Sequence, residues 1–547
     1  MIYTGYYKAF VRTYNKEETI LTTCPECGGQ LQFDIATQSL RCPFCDARNN
    51  PATYTAYNVN AEEIRTDEMD AILYTCPQCG GSIYSTEHSV NGFCSYCGSY
   101  VMLESRFVKM KYPKYVIPFG VDKERCIEEY RKYVKKAIFA PSELKDQTRL
   151  DNFRGIYISY WGYDITMEGF IYLDGKRGRQ HYKCMGWMNA VFNNIFFDAS
   201  SMFEDRYSEQ IAPFNYSSKV EFTPAYLSGF YADMPDLPDD VYLEEAIDVA
   251  HAKAYSPSRL NRAFPGIRFD EGQEEKFHAE MDTHCSASYT TFFPVWFLSW
   301  QKDDRVSYAV VNGQTGRVTG DLPVDRKKFI LSGCLISIPL ILLLFTLPPF
   351  TKAGLLIACE TFSLFSVVLL MSMIKKVIIR SEMLYDKGFL AKSDKLNYTY
   401  RLKVNADKRL EEAKKKGLIP FAIVAILCAV PLLFKYCSEL VGGNAILVAF
   451  QISIVIEIVL LQMVPKLKNY PIPRKLPIIG SILLILLSSL YATFLLLLGT
   501  ARISQIQIVA CLQLAGTISS QLIILDQYNL LATRPLAHMN RMGGNES

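Results

Sequence analysis

The 547 residues are too many for one domain, and a chain that is 50% hydrophobic is oily for a wholly soluble protein. The net charge of +3 conceals two unlike halves, because residues 329–547 carry +11 and the residues before them −8. Residues 1–107 hold 7 basic and 12 acidic side chains, a balance that weighs against nucleic acid as a partner, since phosphate binding calls for a basic footprint.

Taken in order, a tyrosine-rich polar run reaches residue 23 and leads into Cys24-Pro25-Glu26-Cys27-Gly28-Gly29. Fourteen residues separate Cys27 from the next pair, Cys42-Pro43-Phe44-Cys45. The arrangement returns 52 residues later as Cys76-Pro77-Gln78-Cys79-Gly80-Gly81 and Cys94-Ser95-Tyr96-Cys97. Two Cys-x2-Cys turns supply four thiolates, a closed tetrahedral set suited to a structural rather than a catalytic zinc. Disulfide and iron–sulfur readings compete, but matched pairs with no secretory signal before them favour metal, and the Cys-Pro-x-Cys-Gly knuckle favours zinc. The expectation is two zinc ribbons and two structural Zn2+ ions, one held by Cys24, Cys27, Cys42 and Cys45, the other by Cys76, Cys79, Cys94 and Cys97. The ribbons occupy 20–50 and 72–104, joined by a linker over 51–71.

An α+β domain is expected over 108–328. Lys123 to Phe139 reads as a helix with Ile127, Tyr130, Val134 and Ile138 at helical spacing, stopped by Pro141 and Ser142. Gly155–Tyr163 and Phe170–Leu173 read as two strands separated by a turn, and Asp174-Gly175 as another turn. Met185 to Phe197 fits either a helix or a buried strand. Helical patterns return at Glu244–Ala254 and Glu271–Asp282. Strands follow at Thr291–Trp300 and Val306–Val311, the second closed by Asn312-Gly313-Gln314-Thr315-Gly316. The aromatic strands around Tyr157–Tyr163 and Phe292–Trp300 serve either as a recognition surface or as the core of a sheet.

From Phe329 the composition turns apolar, and six spans are expected at 329–349, 353–374, 418–434, 444–464, 476–498 and 503–525. Basic residues flank alternate connections, including Arg326, Lys327, Lys328 and the cluster from Lys408 to Lys416 within a connection at 375–417. This predicts a six-helix bundle over 329–530, a tail over 531–547, and both termini in the cytoplasm. Glu360 and Glu457 fall inside spans, where a carboxylate needs a protein, water or partner contact. They serve helix assembly or, alternatively, an ion route. His278, His284 and Cys285 lack metal-ligand spacing, and no nucleotide, metalloprotease or serine-nucleophile motif is present. No catalytic residue and no cofactor-binding residue other than the zinc ligands is assigned.

The paired cysteine knuckles, Phe293-Pro294-Val295-Trp296 and Val310-Val311-Asn312-Gly313-Gln314-Thr315-Gly316 together resemble bacterial membrane-anchored zinc-ribbon proteins of the transcription-factor-IIB-type ribbon family. The resemblance covers roughly residues 20–328. It implies a multi-pass protein of the bacterial cell membrane and a place among membrane-stress scaffold components, with stomatin/prohibitin-type or phage-shock-type proteins as partners. The fold expected is thus multidomain: tandem small β zinc ribbons, an α+β cytoplasmic domain and an α-helical transmembrane bundle. The function expected is non-enzymatic scaffolding or recruitment, in contact with membrane lipids and with the capacity to form homo-oligomers. A transporter or channel with a regulatory ribbon region and a membrane tether for nucleic acid are the alternatives.

Overall fold

The computed structural model describes residues 22–54, 68–77, 81–85, 94, 96, 104–111, 113–201, 203–270, 272–302, 305–345, 369–370, 372–374, 376–377, 475–498 and 502–535. The first elements form a small antiparallel sheet of β1 (Gln32–Asp34), β2 (Ser39–Arg41) and β3 (Arg48–Asn49), with Phe33 opposite Leu40. It is docked rather than tethered. The Phe33 ring packs on Tyr226 at 5.4 Å, its N–H donates to the Ser228 carbonyl, and the Gln38 amide reaches the Phe119 carbonyl at 2.8 Å. Leu31, Phe33 and Leu40 therefore belong to the same core as Phe119, Tyr157 and Trp296.

The strands β4 (Glu68–Thr75), β5 (Ser82–Ser85) and β6 (Glu104–Lys111) flank the second cysteine region. They do not form a second independent ribbon. Through β5 they join one large mixed sheet with β7 (Tyr115–Val116), β8 (Arg154–Arg177), β9 (Gln180–Asp198), β10 (Val220–Glu221), β11 (Tyr231–Asp233), β12 (Arg268–Phe269), β13 (Met281–Lys302), β14 (Arg305–Asn312), β15 (Val318–Gly320) and β16 (Arg534–Pro535). The long β8 is the spine. One of its edges takes β13 in antiparallel register from Gly169↔Met281 to Arg154↔Phe297, while β11 runs parallel to it at Ile156–Ile158 and β9 follows from Tyr160 onward. Residues 154–177 are thus one strand, and Asp174-Gly175 lies within it rather than turning the chain. The turn comes at Gly178, whose φ of +62° suits a residue without a Cβ.

Aromatic side chains fill the sheet core. Phe119 stacks on Phe230 at 4.4 Å and meets Tyr157 and Trp296 edge-on, while Tyr160 stacks on Phe293 at 4.1 Å. The helix α1 (Lys123–Lys136) begins where the Asp122 carboxylate caps the Arg125 N–H and buries Cys126, Tyr130 and Val134 at i, i+4 and i+8. Ile138 lies beyond it, exposed. Short helices follow at α2 (Gln147–Leu150) and α3 (Asp205–Ile211). Under the distal half of β8 and β9 lie α4 (Leu243–Ala254), α5 (Pro257–Ala263) and α6 (Gln273–Ala279). The small side chains Ala246, Ala250 and Ala254 let α4 approach the sheet closely.

Among the described residues three long helices follow: α7 (Arg326–Phe345), α8 (Lys475–Leu498) and α9 (Ile503–Ala532). Among the described residues one helix, α9, is long and apolar enough to cross a membrane, and α8 carries a shorter apolar run over Leu476–Ala492. Only 39% of the most apolar window of α9 is buried, so α9 is not the core helix of a soluble domain. It packs along α8, where Gly516 lies so close to Ile485 that a Cβ there would stand 2.8 Å from that side chain.

These findings correct two expectations. The fold is one large mixed β-sheet domain with helices, and the described residues show neither tandem ribbons nor a multi-pass bundle. A single span-length helix likewise does not support a multi-pass location in the membrane. The expectation rested on counting apolar stretches, which record composition alone; among the described residues only α9 joins that composition to spanning length. The stretches 418–434 and 444–464, most of 353–374, and with them Glu360 and Glu457, lie outside the described residues.

Candidate metal centre and an exposed sheet edge

The first knuckle closes through Gly28, whose N–H donates to the Cys24 carbonyl at 2.8 Å, and through the Cys24 N–H, which donates back to the Gly29 carbonyl. Gly28 has φ +72°, a conformation that favours glycine, while a Cβ on Gly29 would stand 2.6 Å from the ring of the exposed Phe44. The second knuckle repeats the device, with the Asp46 N–H donating to the Cys42 carbonyl. The Sγ atoms of Cys24, Cys27, Cys42 and Cys45 consequently lie within 4.8 Å of one another. Cys24 and Cys45 stand 3.5 Å apart, Cys27 and Cys42 3.4 Å.

This donor set fits a tetrahedral ion. Metal–sulfur bonds of about 2.3 Å at tetrahedral angles place the sulfurs roughly 3.8 Å apart, whereas a disulfide needs about 2.05 Å. The thiols also divide in acidity. Burial opposes ionisation of Cys42, but N–H groups of Cys45 and Phe44 outweigh it and lower that thiol to about 7. At Cys45 the Ala47 N–H favours the thiolate, yet crowding by Cys27 and Cys24 wins and pushes the thiol up to about 12. Four thiolates this close ionise together only with a cation between them. Cys24 and Cys42 are buried while Cys27 and Cys45 are exposed, so the cluster has a buried and an open side.

Among the described residues this is the one set of four cysteines brought together, a candidate for a single metal site. Cys76 and Cys94 are buried, and the Cys76 N–H closes on the Gly81 carbonyl at 2.9 Å as Cys24 does on Gly29. Cys79 and Cys97 lie outside the described residues. His278, His284 and Cys285 do not converge: His278 stacks on His251 at 4.3 Å, His284 is exposed, and the Cys285 thiol contacts the Ala287 carbonyl.

Of the two readings of the aromatic strands, recognition surface or sheet core, the second holds. Tyr157, Tyr163, Phe292 and Phe293 are fully buried. A surface that sequence reasoning missed lies farther along the same sheet. Opposite Phe170 stands Trp187, opposite Tyr172 stands Met185, and opposite Thr166 stands Val191, so these residues share one face. Trp187 is 70% exposed, Met185 58%, Val191 54% and Phe170 51%. Among the described residues β9 pairs with β8 alone, which leaves its outer edge open. From Cys184 to Phe197 the strand carries no charged residue. No polar–apolar alternation marks this face in the sequence, because the exposed Met185, Trp187 and Val191 are as apolar as the buried Cys184 and Phe192.

No family model matches this sequence, and no solved structure matches it. The chain is similar to the uncharacterized protein YdjG of Bacillus subtilis (strain 168), 26% identical over 317 residues, which cover 56% of this chain and 90% of that protein. The fold and site define a membrane-associated β protein with a four-cysteine, metal-binding-like cluster.

Proposed function

We propose that this chain is a non-enzymatic recruitment protein that holds a partner beside the membrane, with Zn2+ at Cys24, Cys27, Cys42 and Cys45 as a structural element. The open edge of β9 with Trp187 exposed beside it is the observation that carries the reading. A long uncharged edge strand is a liability in an isolated protein and a template for strand addition when a partner covers it. The zinc cluster braces the small β1–β3 sheet against the Tyr226–Phe230 segment, and α9 supplies the anchor. Zinc with four sulfur ligands has no open position for substrate, which favours a bracing role over catalysis. The partner class implied by the resemblance, stomatin/prohibitin-type or phage-shock-type proteins, is the first to test.

The test is quantitative proteomics after mild detergent extraction of the full chain, comparing wild type with Trp187→Glu and with Met185→Glu/Val191→Lys. Selective loss of one co-purifying protein from both variants is the expected result. An unchanged partner list from two folded variants would remove the β9 edge as the docking site.

A further inference from the structure

A cleft of about 610 Å³ opens where the sheet meets the long helices. Its walls come from four parts of the chain: Pro141–Glu143, the ends of β13 and β14 with Trp300 and Arg305, the Pro323–Lys327 approach to α7, and Asp526, Asn529, Leu530 and Thr533 of α9 and its end. Its volume lies within the range of small-ligand sites. The walls are fixed. The Asn529 side chain accepts from the Val324 N–H at 2.7 Å and donates to the Val324 carbonyl at 2.8 Å, clamping the root of α7 to α9.

The lining sets three carboxylates, Glu143, Asp325 and Asp526, against three cations, Arg305, Arg326 and Lys327, so its formal charge is balanced and only the local pairing is uneven. Asp325 is spent on capping the Lys327 N–H at 2.8 Å, and Asp526 pairs with Arg326 at 3.4 Å. Glu143 is the remaining carboxylate of the wall. Arg305 contacts only neutral oxygens among the described residues, the Thr533 hydroxyl and the carbonyls of Leu530 and Thr533. A partly buried guanidinium with no carboxylate beside it faces a cleft whose rim also carries Lys327, and such a pair suits a phosphate group.

The depth of the cleft selects the kind of phosphate. The 30 residues of α9 extend about 45 Å at roughly 1.5 Å per residue, against a hydrocarbon core of about 30 Å. The excess of roughly 15 Å, about ten residues, must project past the hydrocarbon. Asp526, Asn529 and Thr533 make the last turns polar, as Arg502, Ser504, Gln505 and Gln507 make the first, so both ends of a spanning α9 stand at head-group level, and the cleft at the last turns has Trp300 in its wall, where tryptophan is enriched. We propose that this cleft binds the phosphate of a phospholipid head group, through Arg305 and Lys327 with Arg326 beside them. The site lies far along the sheet from the exposed β9 residues and does not depend on the recruitment reading: Trp300 stands near one end of β13, whereas Met281 at its other end pairs with Gly169, which in turn faces Met188 of β9.

The test is titration of the delipidated full-length chain with phosphatidylglycerol in detergent, counting bound lipid by native mass spectrometry. Wild type should retain one lipid per chain, and Lys327→Gln and Arg326→Gln should each weaken it by roughly tenfold, as expected for loss of a charge-assisted contact. Arg305→Gln also removes a helix cap, so the two exposed positions decide the matter. Equal retention by wild type and both variants would overturn the proposal. So would binding of inorganic phosphate that changes Trp300 emission, judged against Trp300→Phe, without any lipid retained, because it would assign the cleft to a soluble phosphate.

Discussion

Arg206 donates to Asp321 at 2.9 Å although 115 positions separate them, and both side chains are buried. The Tyr207 hydroxyl donates to the other oxygen of the same carboxylate at 2.8 Å. Asp321 follows β15 directly and precedes α7 by a few residues, so the pair ties α3 to the root of that helix. Removing Asp321 leaves the buried Arg206 with only the longer Glu204 contact at 3.8 Å, and breaking a buried charge pair costs about 3–5 kcal/mol. Asp321→Leu should therefore destabilise the sheet domain by that amount, and Arg206→Met/Asp321→Leu should recover most of it. Denaturant unfolding of the detergent-solubilised chain, followed by near-ultraviolet circular dichroism, measures both. A loss below about 1 kcal/mol in the single variant would show that the pair does not hold these elements together.

Cys24→Ser removes a buried ligand from the four-cysteine cluster. Bound zinc should fall by one ion per chain, and the β1–β3 sheet should lose protection from hydrogen exchange, because metal binding supplies much of the folding energy of so small a unit. Loosening should extend to Tyr226 and Phe230, on which Phe33 packs. The large sheet should persist. Unchanged zinc content in the purified variant would sink the assignment.

The local signals were readable and the long-range ones were not. Cys24 to Cys45 carried their own geometry, since the knuckle spacing and following glycines dictate the turns that gather the sulfurs. The helix Leu243–Ala254 and the strand pair Thr291–Trp300 and Val306–Val311 lie where their patterns placed them. Sequence could not say that β5 pairs with β11 at Tyr84↔Ala232, which is what absorbs the second cysteine region into the large sheet. Nor did it reveal that Tyr157–Tyr163 and Phe170–Leu173 form one continuous strand, because Glu168 and Gly169 between them look like a break. The cleft joins residues from 141 to 533, and no local pattern records such a meeting.

The ring of His251 stacks on His278 at 4.3 Å, and its Nε2 meets the Thr283 hydroxyl at 3.0 Å. Burial, and then the neighbouring His278, hold the His251 imidazole below its ordinary value, with Asp248 opposing them. The folded state therefore binds fewer protons than the unfolded chain on the acid side. Stability from this site is complete above the unfolded histidine value of about 6.5 and is lost as pH falls from there toward the lowered folded value. Thermal unfolding at about pH 7.5 and about pH 5.5 should show a larger acid loss for wild type than for His251→Gln. An equal loss in both would place the acid sensitivity elsewhere.

Gly313 follows β14 at the turn facing α1, and its backbone is fully committed. Its N–H donates to the Pro294 carbonyl at 2.8 Å, and its own carbonyl accepts from the N–H groups of Gly120 and Val121 at 2.8 Å each. A Cβ there would stand 2.6 Å from the Phe119 ring and 2.9 Å from the Pro294 carbonyl carbon. Phe119 is itself held between Phe230 and Trp296, so neither neighbour has room to yield. Gly313→Ala should cost about 1–3 kcal/mol through overpacking. Gly186→Ala is the matched control, because a Cβ on that glycine of β9 meets nothing within 4 Å and alanine suits a strand better. Melting temperatures should therefore fall for the first variant and hold or rise slightly for the second. A shared response would mean that close approach at Phe119 does not explain the glycine.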